Sequence, residues 1–234
     1  MKKGIHKLPS TILKVILSLT FVLGIANLYA QSTALGIGVV KYSKGNVHVT
    51  LDTLDQDLKG SDLIASGSAI TSGPDGKAVI RLLPDNAFID IRPRSAFLLK
   101  RVKQKGKAIR RVKMDVGEVV LGLKKKSEPI QCENSLTQST ATTGRFACRA
   151  DEKGTQIILV QDGEVVVYNR AKDITTTVRS GQKAVSDQNG IKVSDASDSE
   201  LEDVGFRQNT LEVDFVNPET EEFTTLEVEY EANF

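Results

Sequence analysis

The sequence predicts an all-β fold: a multi-stranded β-sandwich or β-solenoid-like domain with a C-terminal β-hairpin. Three observations carry this. Apolar residues recur at every second position along most of the chain. Clusters of Gly, Pro, Asp and Asn interrupt these runs at about ten-residue spacing. Val, Ile and Thr are abundant, whereas aromatic residues make up 5% of the chain and Trp is absent.

Taken in order, the chain opens with a predicted export leader. Lys2, Lys3, His6, Lys7 and Lys14 precede an apolar run from Val15 to Ile25, and Leu28-Tyr29-Ala30 precedes Gln31. A basic segment, a short apolar core and a cleavage point after Ala30 define a signal peptide over residues 1–30. The apolar run is shorter than the roughly 20 residues that span a bilayer, so cleavage is favoured over an uncleaved anchor. No Cys follows the leader to carry a lipid, and no second apolar stretch could cross a membrane. The expected location is therefore outside the cytoplasm, in the periplasm or beyond, as a soluble mature chain.

Residues 31–194 form the expected β domain. Val47 and Val49 alternate with polar neighbours. Ala78, Ile80 and Leu82 share one face, and so do Ala87, Ile89 and Ile91. Val112, Met114 and Val116 follow, then Val119, Leu121 and Leu123, then Ile157 and Leu159, then Val165 and Val167. Gly73-Pro74-Asp75-Gly76 predicts a turn, because Pro presets φ and Gly accepts either sign of it. Gln161-Asp162-Gly163-Glu164, between two β-branched runs, predicts a tight hairpin. Pro84 and Pro93 lack a backbone donor and belong at strand ends or corners. Asp85, Asp90, Arg92 and Arg94 are expected to face solvent. A Gly-Glu-Val-Val core at 117–120 recurs at 163–166, an echo that stacked solenoid turns would produce.

Residues 195–234 form the last segment. Asp195 to Asp203 has the composition of an acidic linker with at most a helical turn. Leu211, Val213 and Phe215 then alternate with acids, Asn217-Pro218-Glu219-Thr220 turns, and Leu226, Val228 and Tyr230 alternate again. This hairpin would dock on the main domain or on a partner.

Composition excludes several function classes. There is no Gly-rich phosphate loop, no Gly-x-Ser-x-Gly elbow and no zinc-ligand spacing, and His48 is the one histidine beyond the leader. No catalytic residue, metal or cofactor is expected, and a hydrolase working through loop carboxylates alone is a remote alternative. Cys132 and Cys148 are expected to form a disulfide in an oxidising compartment, with two buried free thiols as the alternative.

The order of short motifs adds a resemblance. Lys44-Gly45-Asn46-Val47, Leu58-Lys59-Gly60-Ser61-Asp62-Leu63-Ile64 and Ser66-Gly67 open it. Gly76-Lys77-Ala78-Val79-Ile80-Arg81-Leu82, Asp85-Asn86-Ala87-Phe88-Ile89 and Pro93-Arg94-Ser95 follow, and then Val116 to Val119, Val160 to Val165 and Ser180-Gly181-Gln182. Over roughly residues 40–186 this order resembles a FecR-like domain. Asn86 stands where the family pattern has Gly, and Ser139 to Phe146 is a degraded form of its most distinctive run. The signalling members of that family couple such a domain to a cytoplasmic anti-sigma segment through a membrane helix. The leader found here implies instead a stand-alone extracytoplasmic FecR-like protein.

Charge is polarised along the chain. Between Arg92 and Lys126 there are 13 Lys or Arg against Asp115 and Glu118, a net +11; from Asp195 onward 13 acids face Arg207 alone, a net −12. The basic stretch reads first as a solvated hairpin around Lys105-Gly106-Lys107. Its sharper reading is a partner or polyanion site built from Lys100, Arg101, Lys103, Lys105, Lys107, Arg110, Arg111 and Lys113. Export argues against nucleic acid as the partner. The expected function is a non-enzymatic binding, scaffolding or signalling-related module of the cell envelope. The alternative is a protein that binds an envelope glycan or lipid phosphate through residues 92–126.

Overall fold

The computed structural model describes residues 36–204 and two further strands, 209–216 and 223–230. The leader expected at 1–30 and the turn expected at 217–220 lie outside the described residues. Fifteen strands come first: β1 Gly36–Lys44, β2 Val47–Leu51, β3 Leu54–Asp57, β4 Leu63–Ala65, β5 Ser68–Ser72, β6 Lys77–Leu82, β7 Phe88–Ile91, β8 Ala96–Gln104, β9 Lys107–Leu123, β10 Ile130–Glu133, β11 Thr137–Ala150, β12 Gln156–Asn169, β13 Ile174–Arg179, β14 Gln182–Asp187 and β15 Gly190–Asp195. A short helix α1, Asp198–Val204, and the hairpin strands β16 Asn209–Val216 and β17 Phe223–Tyr230 follow. The fold is all-β.

Ladder partners separate the first fifteen strands into two layers that share β9, β11 and β12. In layer A, β3, β2, β5 and β8 lead to the first half of β9, then β10, the first half of β11, the second half of β12 and β13. In layer B, β4, β1, β6 and β7 lead to the second half of β9, then the second half of β11, the first half of β12, β14 and β15. Among the described residues only β9 with β10 is parallel. Stacked solenoid turns would give parallel ladders throughout, so the structure resolves the expected alternatives in favour of a sandwich whose long strands pass from one layer to the other.

Side-chain parity shows how they pass. In β9 the positions that face inward are Arg110, Val112 and Met114, then Val119, Leu121 and Leu123. In β11 the inward positions are Thr137, Ser139 and Ala141, then Phe146, Cys148 and Ala150; in β12, Gln156, Ile158 and Val160, then Val165, Val167 and Asn169. Each strand changes from even to odd positions or the reverse, at Gly117, Gly144 and Gly163 respectively. One added residue flips the face that later side chains occupy, so both halves of each strand point into one core. That core is a single cluster, with Ile70, Phe97 and Leu99 from layer A and Ile80, Ile89 and Phe146 from layer B.

Two expectations are corrected here. Gln161 to Glu164 is not a hairpin turn: β12 runs through it, and Gly163, at φ 83, bends the strand instead. The Gly-Glu-Val-Val echo is therefore two layer-crossing bends, not two stacked turns. Ile157 and Leu159 do share a face, but it is the outer one, since Ile158 and Val160 fill the core. Other elements stand where the residues placed them. Pro74 lies in the turn between β5 and β6, while Pro84 and Pro93 lie just past the ends of β6 and β7.

Within the acidic stretch, α1 begins with a capping box. Ser197 N–H donates to Glu200 Oε2 at 2.9 Å, and Glu200 N–H returns to Ser197 Oγ at 3.4 Å. Glu200 also accepts both oxygens' worth of bonding from Lys183 Nζ, at 2.6 and 2.9 Å. Val204, 1% exposed, packs on Val120, Ala147 and Leu159, fastening α1 to the outer face of layer B. In the separate C-terminal ladder, Leu211 opposes Val228 and Val213 opposes Leu226.

Candidate functional site

The basic stretch folds as the β8–β9 hairpin with Lys105 and Gly106 at its turn, both at positive φ. Exposure divides its cations, and alternation only in part, since Lys103 shares the side of Arg101 but lies nearer the exposed turn. Lys100, Lys103, Lys105, Lys107 and Lys113 are exposed. None of them makes an ion pair among the described residues. Arg111 lies on the outward side with Lys107 and Lys113, opposite Lys100 in the ladder, and its Nε donates to Gln131 Oε1 at 3.0 Å while approaching Glu133 at 3.5 Å.

Arg101 and Arg110, which oppose each other in the ladder, face the other way. Arg110 is fully buried, which removes it from the surface site expected for it. Its Nη2 lies 2.7 Å from Asp85 Oδ1 and donates to the Leu83 carbonyl at 3.0 Å, and Nη1 donates to the Glu128 carbonyl at 3.4 Å. Arg101 Nε donates to Glu128 Oε2 at 2.9 Å, and its Nη2 pairs with Glu128 Oε1. The four side chains join the segment after β6, the latter part of β8, the start of β9 and the segment before β10.

Asp85, expected to face solvent, is instead the anion that makes Arg110 tolerable inside the protein. Its burial would raise the carboxyl's pKa. Hydrogen bonds from Arg110 and from the N–H groups of Glu128 and Ala87 outweigh that and hold it below the usual value. Glu128 holds the Arg101 guanidinium above its ordinary value. Sequence reading missed Asp85 and Glu128, but a signal was present: Arg110 shares parity with Val112 and Met114, the apolar side of the strand.

Cys132 and Cys148 are bonded, with Cα atoms 6.7 Å apart. Cys132 belongs to β10 in layer A and Cys148 to the second half of β11 in layer B, so the bridge ties the layers through the core. Gln156 Nε2 lies 3.3 Å from Cys148 Sγ and 3.7 Å from Cys132 Sγ, and its Oε1 accepts from Ser139 Oγ at 2.8 Å. Nearby, Asn169 Nδ2 donates to Ser186 Oγ and to the Asp187 carbonyl. This end of the core is polar, with its groups paired to one another.

A cleft of about 700 Å³ opens beside the Gly117 bend. Lys77, Arg94, Arg149 and Lys153 line it along with Glu118 and Asp203, and Arg149 is paired with Glu118. The lining includes neither His nor Cys. His48 lies on β2, with Nδ1 3.1 Å from Asp57. Among the described residues no group of three or more His, Cys, Asp or Glu could hold a metal ion, and no helix is long and apolar enough to cross a membrane.

No family model matches the sequence, and no curated protein matches it. Solved structures do. Two crystal structures of a candidate anti-sigma factor from Parabacteroides distasonis, at 2.50 and 1.65 Å resolution, align with 65% of this chain at 15% identity. They are covered over 69% and 70% of their length, with TM-scores of 0.49 and 0.48. A likeness of this degree leaves function to be argued from the residues of this chain.

Proposed function

We propose that this chain is an exported, non-enzymatic binding module of the cell envelope that engages a protein partner through the β8–β9 hairpin. The observation that carries it is the sorting of charge. The partly buried carboxylates of Asp85 and Glu128 pair with Arg101 and Arg110, while Lys100, Lys103, Lys105, Lys107 and Lys113 are exposed with no acid in ion-pair range among the described residues. A cationic hairpin of this kind raises the local potential that steers an acidic partner. The signalling-related aspect rests on the FecR-like order of motifs, and export rests on the leader and is in keeping with the disulfide.

The same lysines favour one second reading, the binding of an envelope glycan or lipid phosphate. In-cell crosslinking, comparing the native chain with K103E/K105E/K107E, separates the two. Specific envelope proteins captured by the native chain and lost with the variant support the proposal. Adducts of glycan or lipid alone favour the second reading, and identical adducts from both chains exclude the hairpin as the site.

A further inference from the structure

The outer face of layer B carries a surface that α1 covers only at one end. One row across it runs Tyr42, Val79, Asp90, Val120, Ala147 and Leu159, and the next runs Val39, Arg81, Phe88, Gly122 and Arg145. Val204 of α1 sits on Val120, Ala147 and Leu159. Val79 and Phe88 point away from the core, as Ala78, Ile80, Ala87 and Ile89 on either side of them point into it. They are nevertheless only 7% and 6% exposed. The Arg145 guanidinium lies 5.7 Å from the centroid of the Phe88 ring.

We propose that the C-terminal hairpin of the same chain, residues 209–230, docks on this face over Val39, Tyr42, Val79 and Phe88, its acids meeting Arg81 and Arg145. Three observations assign this occupant. The chain leaves α1 on this face, and the five residues from Val204 to Asn209 span up to about 18 Å. Val120 to Tyr42 is three strand spacings, about 14 Å. Residues 205–234 carry eight acids against Arg207, a net −7 opposite two arginines. Finally, the hairpin ladder opposes Glu212 to Glu227, a like-charge pair that costs stability unless cations face it. A two-stranded hairpin is marginal alone in water and gains by covering an apolar face.

Hydroxyl-radical footprinting of the full chain tests this. Tyr42 and Phe88 should be protected in the native protein and labelled several-fold faster in L211D/V228D, with Tyr168 of layer A unchanged. R81E/R145E should raise amide exchange of 209–216 and 223–230 about tenfold while β11 and β12 keep their protection. If R81E/R145E fails to fold, L211D/V228D decides alone, since it leaves every residue of the two-layer core cluster unchanged. Equal labelling of Tyr42 and Phe88 in native and L211D/V228D chains overturns the proposal. Protection lost on dilution alongside a dimer-to-monomer transition in sedimentation overturns it too, in favour of a second copy as the occupant.

Discussion

Gly144 and Gly163 are direct partners in the β11–β12 ladder, both at positive φ, 98° and 83°, where these two 14-residue strands bend together from one layer into the other. A Cβ on Gly144 would land on the Asp162 carbonyl, and one on Gly163 would lie 2.8 Å from the Thr143 carbonyl. Neither bend accepts a side chain without moving the neighbouring strand. Gly144→Ala is expected to cost about 3 kcal/mol, from left-handed strain and overpacking together. Denaturant unfolding of the variant checks this, and a midpoint equal to that of the native chain would mean the bend is not needed.

The Cys132–Cys148 bridge joins residues 16 apart. In the chain-entropy picture, closing such a loop contributes about 3 kcal/mol by restricting the unfolded state. Replacing both cysteines by Ala should lower the unfolding free energy by about that amount while leaving the strand spectrum intact. The measurement is paired denaturation curves, in which a difference below about 1 kcal/mol would assign the bridge no such role.

Arg110 and Lys105 lie five residues apart in one basic run, yet their substitutions should behave in opposite ways. Arg110→Ala leaves Asp85 and Glu128 without their buried cation and should cost about 3 kcal/mol, the lower end for a broken buried pair because both acids are partly exposed. Lys105→Glu should change stability by less than about 0.5 kcal/mol. Melting curves of the two variants decide between a sorted and an unsorted charge cluster.

Lys183 and the Ser197 cap hold the Glu200 carboxyl down at about 2. Because the folded value is depressed below its ordinary 4.5, the stabilisation is present above pH 4.5 and is lost as pH falls from there toward 2. A side-chain NMR titration of Glu200 should show that low midpoint, and Lys183→Met should move it back toward 4.5. An unmoved midpoint would assign the depression to the cap alone. Asp85 follows the same sign, so acid should loosen the Arg110 network as well as α1.

Much of the fold was legible residue by residue. Alternation placed Ala78, Ile80, Leu82, Ala87, Ile89 and Ile91 in the core, and the Pro74 turn and the β8–β9 hairpin stand where turn chemistry put them. The site was legible only in part. Lys103, Lys105 and Lys107 follow from the turn, but Arg110 looked like its neighbours because a charge count ignores parity. Asp162-Gly163 carried a strong hairpin signal that the surrounding ladders overrode: β11 pairs with β12 on both sides of the bend, so continuing the strand keeps more hydrogen bonds than turning it.

The sequence by itself determined the strand periodicity, most of the turn positions and the polarity of charge along the chain, all of which depend on near neighbours. Only the tertiary structure decided which parity of each long strand faces inward and which arginine is buried. Those choices depend on contacts far apart in the chain: Gly144 on Gly163, Arg110 on Asp85 and Glu128, Cys132 on Cys148. A two-residue period says that alternate side chains part company, and the second layer says which of them enters the core.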